Sequence, residues 1–190
     1  IVFSVPSGNF GNVCAGMMAQ RLGLPINHFV ASNNENNVVT EFLKTEEYKP
    51  KPSIQTISNA MDVGNPSNFI RIQEIYKNNF TTLKDNLSSY SFSDAETREA
   101  MLDIYNKYGY IADPHGAVGF LGCKAYLEEN PDAHCIFLET AHPTKFLDVV
   151  ENVIKTKVAL PQQIEAVMHK EKVAKKISSY EALKGFLLNK

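Results

Sequence analysis

The 190 residues carry 19 lysines and arginines against 21 aspartates and glutamates, for a formal net charge of −2, and 44% are hydrophobic. That balance belongs to one globular domain or a large piece of one; it lacks the basic stripe of a nucleic-acid-binding protein, and its apolar runs are too short to cross a bilayer. Cys14, Cys123 and Cys135 stand far apart with no Cys-x-x-Cys pair, and the five histidines include no His-x-x-x-His pair, so neither a disulfide framework nor a metal centre is indicated. The cysteines read as buried structural thiols in a reducing compartment.

An apolar, strand-like run over residues 1–5 leads into Ser7-Gly8-Asn9-Phe10-Gly11-Asn12, and a helix-compatible stretch follows over residues 13–22. Strand, glycine turn and helix form an anion cradle, because glycines let successive N–H groups converge and the helix start adds partial positive charge. The loop has no Lys-Ser/Thr ending and only two of the three glycines of a dinucleotide fingerprint, which argues against nucleoside triphosphates and NAD and favours a smaller phosphorylated cofactor. A second strand over residues 28–31 ends in Asn33, Asn34, Asn36 and Asn37, either a ligand edge or an Asx-rich turn capping a helix that runs to Leu43. Residues 44–52, with two prolines and mixed charge, read as a surface loop. A helix is expected over 68–78, and Ser93-x-x-Glu96 is a capping box that opens a helix over 94–108, with Gly109 as its stop. Asp113-Pro114-His115 opens a further helix through 117–128, and on the residues alone its Asp is a cap. A strand over 135–138, ending at Glu139, puts Thr140 at its carboxyl end, where the ligands of open α/β sheets collect, although Thr140 alone also reads as a helix cap. Pro143 suits the first turn of a helix over 145–156. Beyond Pro161 the chain reads as one or two amphipathic helices whose Lys170, Lys172, Lys175 and Lys176 form a solvated face. The alternation predicts an α/β fold, a three-layer sheet with helices on both faces over residues 1–159, and a helical appendage over 160–190.

Four segments then point further: Pro-Ser-Gly-Asn-Phe-Gly-Asn at 6–12, Ser-Asn-Ala-Met-Asp at 58–62, Asp-Pro-His-Gly-Ala at 113–117 and Thr-Ala-His-Pro-Thr-Lys-Phe at 140–146. Together, and in this order, they resemble the threonine synthase family, pyridoxal-phosphate enzymes of the tryptophan-synthase-like fold. The resemblance implies that the chain is part of the large domain of such an enzyme, with pyridoxal 5'-phosphate as cofactor. Gly8, Asn9, Phe10, Gly11 and Asn12 then hold the cofactor phosphate, and the Thr140 hydroxyl bonds the pyridine nitrogen. Asp113, His115 and Asn59 fall near the site. The implied reaction converts O-phospho-L-homoserine and water to L-threonine and phosphate, in the cytoplasm.

In the family the Schiff-base lysine lies upstream of the phosphate loop, so the chain is expected to be a C-terminal fragment without that lysine and without activity of its own. Lys145 reads as a solvated lysine. The missing N-terminal half is the expected partner, and self-association is the expected response to its loss. Two rivals stand beside this reading: a related phospho-lyase of the same cofactor fold, and a non-catalytic module that binds a phosphorylated ligand.

Overall fold

In the computed structural model, which describes residues 1–189, four strands lie side by side in one parallel sheet: β1 (Val2–Pro6), β2 (His28–Asn33), β3 (Leu87–Ser91) and β4 (Cys135–Phe137), in the order β3-β2-β1-β4. Val2 stands opposite His28 on one side and Cys135 on the other. The chain leaves β1 for β2 on one side and returns to β4 on the other, so the order reverses between β1 and β4. In open α/β sheets that reversal marks the crevice where ligands bind.

Helices cover both faces. The helices α1 (Gly11–Arg21), α2 (Val38–Thr45), α3 (Phe69–Ile75) and α4 (Phe80–Asn86) contribute to a core with Val5, Phe29, Ala31 and Leu87 from the strands. Phe42 meets Phe69 edge-on at 5.3 Å between ring centres, and Phe10 meets it at 5.8 Å. Burying side chains of this size contributes about 1.5–3 kcal/mol each. The opposite face is covered by α6 (Pro114–Glu129), with α5 (Asp94–Tyr108) and α7 (Leu147–Ile154) packed around Met101, Ile104, Ala117 and Val150. Here the sheet carries small polar residues, because α6 comes very close. Ser4 donates to the Gly119 carbonyl at 2.6 Å, and a Cβ on Gly122 would sit 1.8 Å from Ser32 Oγ.

The helix ends follow local chemistry. The capping box is complete, with Ser93 accepting from Glu96 N and Glu96 accepting from Ser93 N. Gly109 ends α5 at φ 65°, in the left-handed region. Asp113 caps α6 by accepting from His115 N, and Pro114 fills the first turn.

Several boundaries differ from expectation. β3 and α4 form where the sequence pattern predicts no element. β4 ends at Phe137, two residues before Glu139, and the stretch after Thr140 is a 3₁₀ turn, Pro143–Phe146, before α7 begins. The loop after α2 lies at the surface as expected, and it is anchored there: Tyr48 stacks on Phe69 at 5.4 Å, and Lys51 N donates to the Gly64 carbonyl. Cys14 and Cys123 are buried as expected, whereas Cys135 is half-buried because β4 is an edge strand. Among the described residues no helix is long and apolar enough to cross a membrane, and no cluster of three metal-ligating side chains occurs.

Residues 1–158 form one unit, and a second begins at Ala159. The second holds α8 (Gln162–Met168) and α9 (Tyr180–Leu188), the latter capped by Ser179, which accepts from Ala182 N at 3.2 Å.

Candidate cofactor site at the switch point

The loop from β1 to α1 forms one wall of the switch-point crevice. Phe10 adopts φ 61° and ψ 19°, a left-handed conformation that is costly for an aromatic residue, and it is held there by burial against Phe69. The consequence lies in the backbone. The first helical bond of α1 is Cys14 N to Phe10 O at 3.0 Å, and among the described residues the N–H groups of Gly8 to Val13 meet no acceptor. The loop is fixed from behind: Asn9 Oδ1 accepts from Ser67 N at 2.6 Å, Asn68 Nδ2 donates to Asn9 O at 2.9 Å, and Asn33 Nδ2 donates to Ser7 O at 2.7 Å. A Cβ on Gly8 would lie 2.5 Å from Met61 Cα, so only glycine allows this approach, while Gly11 and Asn12 stay exposed. A run of free N–H groups at a helix start, with no acidic side chain in the loop, fits a phosphate monoester.

Residues 58–62 join this loop to the next motif. Met61 packs on Gly8, and Ala60 N donates to His115 Nε2 at 3.3 Å. His115 therefore carries its ring proton on Nδ1, which donates to Asp113 Oδ1 at 2.6 Å. The His115 ring also lies 4.9 Å from that of Phe146, the last residue of the fourth motif. Asp113 and His115 are buried; burial works to raise the Asp113 pKa, and the side-chain and backbone hydrogen bonds from His115 outweigh it and hold the carboxyl below its ordinary value. The structure thus interlocks the first and second motifs, the second and third, and the third and fourth.

Asn59 is exposed at the start of the 3₁₀ turn Asn59–Met61, and Thr140 is exposed beyond the end of β4. The asparagines after β2 form a structural network. Asn34 Nδ2 lies 2.8 Å from Thr56 Oγ1 and 2.9 Å from Asp62 Oδ1, Asn36 Nδ2 donates to the Ile54 carbonyl, and Asp62 also accepts from Thr56 N and Thr56 Oγ1. Every arm points back at protein. Asn34 and Asn36 tie the segment 54–62 to the end of β2, with Asp62 as the hub of that network, whereas Asn33 donates to Ser7 O and accepts from Ser89 Oγ and Thr40 Oγ1.

Sequence reasoning missed Glu139. Its residue is exposed as a whole, but its carboxyl end turns inward, and a Cβ on Gly116 would lie 2.1 Å from Oε1. Burial and the neighbouring Asp113 push its pKa up to about 8. The only local signal was an acidic residue directly before Thr140.

The pattern of the family described as pyridoxal-phosphate dependent enzyme matches residues 2–141, and that described as threonine synthase, C-terminal, matches residues 116–187. The chain belongs to the pyridoxal-phosphate-dependent enzyme family. Within it, the similarity runs to the threonine synthases. That of Haemophilus influenzae is 44% identical over 165 residues, which are 87% of this chain and 38% of the relative. The crystal structure of threonine synthase from Escherichia coli superposes with a TM-score of 0.86 at 35% identity, over 99% of this chain and 43% of that one. A crystal structure of PLP-bound threonine synthase from Brucella melitensis gives 0.79 at 26% identity, over 90% and 42%. The chain spans less than half the length of each of these proteins. The family cofactor is pyridoxal 5'-phosphate.

Proposed function

We propose that this chain is the cofactor-phosphate-binding part of a threonine synthase that converts O-phospho-L-homoserine and water to L-threonine and inorganic phosphate. The observation that carries the reading is the run of N–H groups from Gly8 to Val13 without an acceptor, at the switch point and interlocked with the other motifs. In this reading Gly8, Asn9, Phe10, Gly11 and Asn12 hold the cofactor phosphate through their backbone. The Thr140 hydroxyl donates to the ring nitrogen, and a neutral donor there leaves that nitrogen unprotonated. Asp113 and His115 brace the segment carrying Ala60 against the phosphate loop, and Asn59 is assigned to the substrate side on its exposure. When bound, pyridoxal 5'-phosphate supplies the electron sink that lets phosphate leave from Cγ and water add at Cβ.

The lysine that the family bonds to the cofactor has no counterpart in the four motifs, so residues 1–190 alone are inactive and need an N-terminal half of the same cytoplasmic enzyme. The exposed edge strand β4, with Ile136 45% exposed, drives self-association when that half is absent. The test is phosphate release from O-phosphohomoserine: none from the chain alone, and recovery on co-expression with the N-terminal half. Release by the chain alone overturns the assignment of the lysine, and no release by the full-length enzyme overturns the reaction. Sedimentation of the chain as a stable monomer overturns the self-association.

A further inference from the structure

Asp113 is fully buried, and its two oxygens are treated unequally. Oδ1 takes both N–H groups of His115, from the backbone at 2.8 Å and from Nδ1 at 2.6 Å, whereas Oδ2 is buried and receives no donor from the described residues. A buried carboxylate oxygen without a donor carries a large desolvation cost, so native structures rarely leave one. The group facing it is another carboxyl. Glu139 turns its carboxyl over the N-terminal turn of α6, where a Cβ on Gly116 would lie 2.1 Å from Oε1, and its electrostatic neighbours there are Asp113 and Tyr110. Two ionised carboxylates in contact repel, and neither can donate to the other. A carboxyl and a carboxylate form a strong, short bond.

We propose that Asp113 and Glu139 share one proton, carried by Glu139 and donated to Asp113 Oδ2, and that this bond is a positioning device that holds the Thr140 segment against the start of α6. Glu139 acts through its neighbour and not on a reacting atom. His115 stays bound to Asp113 Oδ1, so the shared proton leaves Asp113 with a donor on each oxygen, and Tyr110 stands beside the Glu139 end of the pair. Above the titration of the pair, the proton passes to solvent, two carboxylates face each other, and Glu139 swings outward with Thr140. The titratable groups facing Glu139 are Asp113 and Tyr110, with His115 behind Asp113. The link to Thr140 rests on the cofactor role proposed above; the shared proton does not.

The sign of the pH dependence follows from the raised Glu139 pKa. The folded protein keeps a proton that the unfolded chain releases near 4.5, so Glu139 lowers stability progressively as pH rises from there to about 8, and its effect is flat above. The measurement compares the protein with Glu139→Gln, which keeps a donor and cannot ionise. The ratio of their folding equilibrium constants should fall by up to ~10-fold per pH unit across that window, the effect of one proton. The infrared band of a protonated carboxylic acid should be present at pH 7 and absent from Glu139→Gln, and the Thr140 amide resonance should titrate near pH 8 in the unsubstituted protein and stay flat in the variant. A pH-independent stability ratio, or no carboxylic-acid band at neutral pH, overturns the shared proton. A Thr140 resonance that ignores Glu139 overturns the positioning role. If Glu139→Gln fails to fold, the infrared and resonance titrations of the unsubstituted protein decide alone. Should the proton be found while Thr140→Val leaves turnover intact, the Thr140 assignment falls and the carboxyl pair stands.

Discussion

At the carboxyl end of β2, Asn34, Asn36, Thr56 and Asp62 satisfy one another, whereas at the carboxyl end of the adjacent β1 a run of N–H groups meets no acceptor among the described residues. Both regions are rich in asparagine and both sit on the ligand edge of the sheet. The difference is one of closure. Where every donor ends on protein, the cluster is a clamp that stabilises the fold; where donors are fixed from behind and open in front, they match the anion site proposed above. Residue type does not separate the two, and hydrogen-bond partners do.

The largest effect should come from the closed region. Asp62→Ala removes the acceptor used by Thr56 N, Thr56 Oγ1 and the amides of Asn34 and Asn36, and should destabilise the protein by about 3 kcal/mol, read from urea unfolding. A loss below about 1 kcal/mol would mean that solvent replaces the carboxylate and that the clamp is looser than its bonds imply. Gly8→Ala tests the seam between the regions. Its Cβ would meet Met61 backbone, so the loop or the 3₁₀ turn must shift, at a cost of about 2 kcal/mol together with a drop in pyridoxal 5'-phosphate affinity. Stability lost with affinity intact would detach residues 8–12 from the phosphate.

Beyond β4, Thr140→Val should leave unfolding within about 0.5 kcal/mol, because the residue is exposed, and lower turnover of the full-length enzyme by about 1.5 kcal/mol of barrier, more than it lowers cofactor occupancy. Unchanged kinetics would remove Thr140 from the site. The smallest effect is expected at Gly11→Ala, where the new Cβ would lie at an ordinary 3.6 Å from Asn68 Nδ2 and stability should change by less than about 0.5 kcal/mol. A large loss at Gly11 and none at Gly8 would invert the assignment of which glycine is structural.

Much of this architecture could be read from residues. The capping box at Ser93 and Glu96, the stop at Gly109 and the cap at Asp113 are local devices, and local signals sufficed. β3 was invisible for a physical reason: Leu-Ser-Ser-Tyr-Ser has a single buried apolar residue, Leu87, and owes its extended form to pairing with β2, whose Phe29 stands opposite. α4 is seven residues long with two threonines, and its one signal, Asn79 capping Thr82 N, was too weak to stand alone. The loop over residues 8–12 and Thr140, the proposed cofactor contacts, were nameable through motifs. Glu139 was not, because what makes it unusual is Asp113, 26 residues upstream in sequence and beside it only once α6 lies on the sheet.

Gly119 and Gly122 bring the backbone of α6 down onto the short side chains of Pro6, Ser4 and Ser32, with no side chain of its own at these positions. Such an interface has little intermediate spacing, since a layer of long interlocked side chains can loosen rotamer by rotamer while a helix backbone seated on serine and proline side chains either fits or parts. Helix α6 and strands β1 and β2 should therefore open as one cooperative block. Their amides should exchange with deuterium only through complete unfolding, after the amides of the 54–62 segment have exchanged through local opening. The slowest clock in the molecule is then set by two residues that have no side chain.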